Sequence, residues 1–369
     1  MTAPPGPTGG LSSQAEAALL DTEQEESPLL GDDEEPSHSP VYQVFAFLAR
    51  GEGALWTFAV FVLICIVFGI AAPDFFSRAN WVATSEYAVE YLLLAIGETF
   101  VIATAGIDLS VGAILGFSAM LSAVIMSGLL NGHMSSILVT IIGFAIALAA
   151  GTLVGVANGL LITRLKLTPF IVTLGMLGMC TGATYLLDDG NQVSNLPSQI
   201  TTIGTTIWFG GWLPAIVVVA AVFTILGWLL LSRTRFGLHT YVIGSNFLAG
   251  QRAGVNVNRH LVRVYALSGF LAAVAGLMVT AKFTIASPIA GANDELDAIA
   301  AVVIGGASLF GGSGTIVGTL IGALIVAVIQ YGLVFINVEP FWQFVAVGVV
   351  IIISVLVDQS QRKGGRVDE

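Results

Sequence analysis

"SSILVTIIGFAIALAAGTLVGVANGLLITRLKL", residues 135–167, carries no charged side chain until Arg164. A bilayer crossing takes about 20 apolar residues. The stretch therefore reads as a transmembrane helix over 136–160, its far end marked by Arg164 and Lys166. Gly151, Gly155 and Gly159 recur at every fourth position within it. On a helix this spacing lays a flat stripe along one face, against which a second helix can approach closely. Asn158, toward the same end, offers an amide that can cap a turn or bond to a neighbouring helix.

The rest of the chain is built in the same way. Hydrophobic residues make up 56% of it, charged residues 10%, and the mean hydropathy is +0.90. A soluble domain carries about 25% charged residues, so this is a membrane protein. Ten candidate spans follow: 54–72, 88–106, 110–130, 136–160, 169–187, 213–231, 264–283, 295–309, 314–335 and 340–357. The expected fold class is all-α, a polytopic membrane helix bundle of about ten transmembrane helices. Pro169, Pro214 and Pro340 open three of the spans, where a missing N–H costs little.

Placing the N-terminus inside puts 11 basic residues on inner loops and tails and leaves only Arg78 and Lys282 outside. This asymmetry predicts a multi-pass cell-membrane protein with both termini cytoplasmic. Residues 1–45 read as a disordered acidic cytoplasmic tail, 46–360 as the membrane domain, and 361–369 as a short cytoplasmic tail. The first 40 residues hold nine of the 24 acidic side chains and no Lys or Arg, and they have little to bury. Cys65 and Cys180 fall within apolar spans and read as packing residues. The four histidines do not cluster in sequence, and no metal site is expected.

"TAGIDLSVG", residues 104–112, sets Asp108 and Ser110 between two apolar stretches. The carboxylate most simply holds a turn as a helix N-cap. Gating or pairing at the inner mouth, with Arg164 or Lys166 as partner, and direct handling of a solute or proton are the alternatives. Glu98 lies in mid-span, where a carboxylate either pairs or lines a path. Glu98, Asp108, Ser110 and Asn158 are thus the candidate translocation-path or gate residues. Glu86 and Glu90, with Tyr87 and Tyr91 beside them, read as a helix entrance or a solute contact.

Gly305, Gly306, Gly311, Gly312 and Gly314 crowd the run "GGASLFGGSGT". They are expected to be structural glycines, in a broken or re-entrant segment or in a plain inner loop. Shifting the chain by 202 residues sets Val101, Ile102 and Gly112 on Val303, Ile304 and Gly314, a weak parallel internal repeat. The longest inner connection, 232–260, contains "NFLAGQRAG". This predicts a short helix capped by Asn246 and ended by Gly254.

Four segments together, "TAGIDLSVG", "NGLLITRLKLTPFIVTLG" (158–175), "GSNFLAGQRAGVNV" (244–257) and "VVIGGASLFGGSGTIVGTLIGALIV" (302–326), resemble the permease subunits of ribose- and xylose-type ABC sugar importers. The likeness runs in order over residues 54–358. It implies a subunit that works with a second copy of itself. An extracytoplasmic solute-binding protein would deliver a small sugar, and a cytoplasmic ABC ATPase would bind ATP and Mg. It also implies that residues 232–263 form the coupling loop, with Asn246, Ala249, Gln251, Arg252 and Gly254 meeting the ATPase. Gly250 and Leu248 depart from what many relatives carry there.

The chain itself has no G-x-x-x-x-G-K-[ST], so ATP must be held elsewhere. No cofactor, catalytic residue or nucleic-acid partner is expected, and lipid is the expected surround. A membrane enzyme lacks any paired nucleophile and base. A self-sufficient proton-coupled sugar carrier using Glu98 or Asp108 is the alternative, and it leaves the elaborate inner loop without a purpose.

Overall fold

A computed structural model describes residues 53–349 apart from positions 73, 340 and 344, together with 352, 353 and 356. The acidic tail, part of the last candidate span and the C-terminal tail lie outside the described residues. The described chain is almost wholly helical. Its long helices are α1 (Gly53–Ala71), α2 (Arg78–Ala103), α3 (Val111–Asn131), α4 (Ser136–Arg164) and α5 (Pro169–Leu186). There follow a short helix α6 (Ser198–Thr205), a two-strand ribbon, Ile207–Trp208 with Leu213–Pro214, and α7 (Ala215–Arg233). Then come α8 (Arg235–Ser245), α9 (Phe247–Arg252), α10 (Val257–Phe283), α11 (Asp294–Ile304) and α12 (Ile316–Phe335). Helices α3, α4, α5, α7, α10 and α12 are long and apolar enough to cross a membrane. The chain is a polytopic helical membrane protein.

α2 is the axis of the bundle. From Tyr91 to Ala103 every side chain is buried, against α10, α12, α11 and α7. Polar links fix these neighbours: Tyr91 Oη donates to Gln330 Oε1 of α12 at 2.7 Å, and the Thr99 and Thr319 hydroxyls meet at 2.7 Å. The helix begins at Arg78, ten residues before the span read from hydropathy. Ser77 Oγ accepts the Asn80 N–H as an N-cap, and Glu86 and Glu90 depress the hydropathy of turns that are helical all the same.

The buried residues of α4, among them Gly143, Ala147, Gly151, Gly155, Asn158, Gly159 and Ile162, form one stripe, and the other positions are half-buried or exposed. The glycine ladder is the contact with α10. A Cβ at Gly155 would run into the Tyr265 carbonyl, and one at Gly151 into that of Gly269. Gly155→Val is therefore expected to cost about 1–3 kcal/mol through overpacking. The check is a fall in the thermal midpoint in detergent. An unchanged midpoint would mean that α4 is not held by this seam.

α11 has 11 residues, about 16 Å of helix, roughly half a bilayer core. It stops at the glycine run, so the eighth span is a broken segment. Gly306, Gly311, Gly312 and Gly314 all take positive φ there, while Gly305 is packed against the backbone of Gly318. The two segments of the weak internal repeat end their helices alike, but α3, α9 and α12 end in the same way, so the ending is not particular to the repeat. Gly106 N donates to Val101 O and Ala105 N to Ile102 O, ending α2; Ala307 N donates to Val302 O and Gly306 N to Val303 O, ending α11. Both are Schellman endings, offset by 201 residues. The following turns differ in length, seven residues (104–110) against eleven (305–315). Gly112, inside α3, therefore has no equivalent in Gly314, which precedes α12.

Candidate functional site

The four path residues named from sequence converge. Glu98, Asp108, Ser110 and Asn158 are all fully buried. The α2–α3 turn folds back on α2, so that the Asp108 N–H donates to Glu98 Oε1 at 3.1 Å. Asp108 Oδ1 accepts the Ser110 N–H at 3.0 Å and the Ser110 hydroxyl at 2.6 Å. Oδ2 accepts the Ser268 hydroxyl of α10 at 3.2 Å. Asn158 Nδ2 donates to Ser110 Oγ at 2.8 Å. Asp108 and Ser110 together thus tie the turn to α2, α4 and α10.

Asp108 does hold a turn, but not as an N-cap. Ser110 occupies the cap position of α3, and neither side chain caps the helix N–H groups. The Asp108–Ser110 pair is instead a local Asx turn. Arg164 and Lys166 are exposed at and just past the end of α4, so the ion pair weighed from sequence does not form; Asp108's bonds go to hydroxyls and an amide. Asn158 lies six residues before the end of α4, about 9 Å along its axis. The turn therefore sits within the bundle rather than at its mouth. Glu98 Oε2, Asn158 Oδ1 and the Tyr265 hydroxyl have no protein partner there, in a place where an unmet polar atom is costly.

The second feature lies between α7 and α10. α9 forms where the sequence predicts it. Asn246 Oδ1 accepts the Ala249 N–H at 2.9 Å. Gly254 takes φ +82°, with Val255 N donating to Gly250 O. Asn246, Phe247, Leu248, Ala249, Gln251, Arg252 and Gly254 are exposed, and Leu248 is 61% so. α8, which the sequence reading left unassigned, links this knob to the interior. Thr240 Oγ1 and His260 Nε2 are 2.9 Å apart, anchoring α8 to α10. His239 and His260 meet with ring centroids 5.9 Å apart, so two of the histidines do come together in space. Among the described residues no group of side chains is arranged to hold a metal ion.

The Tyr241 hydroxyl donates to Gly314 O at 2.6 Å. Burial pushes this phenol above its ordinary range, so the O–H remains a donor. Gly244 packs so closely on the Ala103 carbonyl and the Gly312 N–H that a Cβ would displace one of them, while Gly312 N donates to Ala103 O at 3.0 Å. The C-terminal end of α8, the glycine turn and the Asp108 turn are therefore in direct contact.

A third polar group surrounds the first half of α2. Lys282 Nζ sits 3.3 Å above the Tyr87 ring, and Tyr87 packs on Tyr331 at 5.1 Å. Asp294 and Asp297 of α11 face the same side as Glu90. Sequence reasoning found Glu86, Tyr87, Glu90 and Tyr91 but missed their partners, which come from three other helices. A lysine at the end of an apolar span was the available signal.

Residues 81–355 match the family described as the branched-chain amino acid transport system / permease component. The chain belongs to this permease family. The permease is 42% identical over 304 residues to the ribose import permease protein of Bacillus subtilis, covering 82% of this chain and 91% of the relative. It is 36% identical over 322 residues to that of Haemophilus influenzae, covering 86% and 95%. To the fructose import permease protein of Rhizobium meliloti it is 37% identical over 316 residues, covering 82% and 84%. No solved structure matches the permease.

Proposed function

We propose that the chain is the transmembrane permease subunit of an ATP-binding-cassette importer, moving a monosaccharide or similar small polar solute inward by alternating access. The names of its relatives, import permeases for ribose and fructose, support the substrate class. The observation that carries the coupling is an exposed knob, α9, backed by α8 onto the turn that holds Asp108.

In this reading a separate cytoplasmic ATPase holds ATP and Mg and grips Asn246, Ala249, Gln251, Arg252 and Gly254. Both termini are cytoplasmic. An extracytoplasmic solute-binding protein meets the opposite end of the bundle, where α6 and the two-strand ribbon lie, and a second copy of the chain completes the path. α8 is short and anchored at Thr240 and Tyr241, so a displacement of α9 is passed on as a movement of the two turns. The hydrogen bonds among Glu98, Asp108, Ser110, Asn158 and Ser268 are then what opens or holds the inner gate.

The test is gentle solubilisation of the chain from its native membrane and identification of what accompanies it. A stoichiometric ATPase with a Walker motif is expected. A solitary chain that still moves a sugar in liposomes on a proton gradient would overturn the proposal.

A further inference from the structure

We propose that the cleft between the inner ends of α4 and α10 binds the phosphate headgroup of an anionic phospholipid. The cleft is a cavity of about 410 Å³ whose lining includes Arg164, Arg259, Arg263, Asn256, Asn258 and Leu160, with no carboxylate. Arg164 closes the last turn of α4. Arg259 and Arg263 stand one turn apart at the start of α10, and all three guanidinium-bearing side chains are exposed. Three positive charges around one opening repel each other unless an anion joins them. Arginine's planar fork suits phosphate oxygens. The first turn of α10 adds its positive helix end to the same place.

The position favours a lipid over a soluble anion. The glycine seam draws α4 and α10 together, and the cleft opens just past its last member, Gly159. Beside the opening, α4 and its end turn outward Leu153, Leu160 and Leu165, which are 66%, 41% and 62% exposed. Acyl chains can lie along these leucines while the phosphate occupies the cleft. Basic pockets between helices on the cytoplasmic side are suited to such headgroups. The inference rests on the functional reading only for the cytoplasmic placement of this end.

The test uses the purified full chain in detergent, with retained lipid read by native mass spectrometry after adding phosphatidylglycerol or phosphatidylcholine. Preferential retention of phosphatidylglycerol is expected. Each arginine near an anionic headgroup is worth roughly fivefold in affinity, so Arg259→Gln with Arg263→Gln should cut the preference about thirtyfold. Arg164→Gln is an independent variant should the pair disturb folding, which the elution profile reports. Equal retention of the two lipids, or an unchanged preference in the variants, overturns the proposal. Displacement of the lipid by inorganic phosphate would make the site one for a free anion and also overturns it. So does loss of a co-isolated protein with lipid retention unchanged. Neither sugar nor ATP enters the readout, so failure here leaves the importer reading standing.

Discussion

Asp108→Ala is expected to abolish solute uptake in proteoliposomes and to destabilise the chain by about 2–5 kcal/mol, read from thermal unfolding in detergent. The carboxylate accepts from the Ser110 N–H, the Ser110 hydroxyl and the Ser268 hydroxyl. Each buried donor left without a partner costs about 1–3 kcal/mol, and no bulk water reaches a fully buried site to replace the lost acceptor. Glu98→Gln is the contrasting variant. Glu98 accepts one bond, from the Asp108 N–H, and the glutamine side-chain oxygen can keep it. Uptake within about twofold of the parent is expected, because a neutral side chain of the same shape preserves what Glu98 does here. A folded Glu98→Gln chain without uptake would instead make Glu98 a proton-handling group and revive the proton-coupled carrier. Parental stability in Asp108→Ala would show that the cluster does not hold the bundle together.

The sequence made most of the secondary structure visible because the membrane imposes one simple pattern. Arg164 and Lys166 closing an uncharged run, Asn246 opening a short helix and Gly254 ending it are local signals, and each marks a real boundary. The early start of α2 was hidden, since its first turns are polar and the helix is held by burial against α7, α10, α11 and α12. The membership of the Glu98–Asp108 cluster was legible residue by residue, as polar side chains in apolar surroundings. Their convergence was not, because it depends on a turn that folds Asp108 back ten residues onto Glu98. Ser268 carried no signal at all: a serine in an apolar helix most often bonds its own backbone. The group around Lys282 and Tyr87 failed to appear for the same reason, its members being spread over α2, α10, α11 and α12.

The second large effect should come from α9, and it should leave stability untouched. Gly254 sits at φ +82°, where a β-branched residue costs about 1–2 kcal/mol. Losing the Asn246 cap costs about 1 kcal/mol more. A helix of six residues cannot absorb both losses. Asn246→Ala with Gly254→Val should therefore unwind the knob, while the thermal midpoint of the bundle stays within error, because α9 contributes little buried surface. Arg252→Glu should act without unwinding it, by reversing the charge on the face proposed to meet the ATPase. In both, ATP-driven uptake is expected to fall by more than about tenfold, the equivalent of about 1.4 kcal/mol of coupling, and the ATPase should no longer co-isolate. Gly244→Val tests the next link, since its side chain would press on Ala103 and Gly312 rather than on the partner. There the ATPase should remain bound and its turnover continue while uptake is lost. If Gly244→Val instead transports like the parent, force from α9 does not reach the Asp108 turn through α8, and the path from knob to gate must run elsewhere.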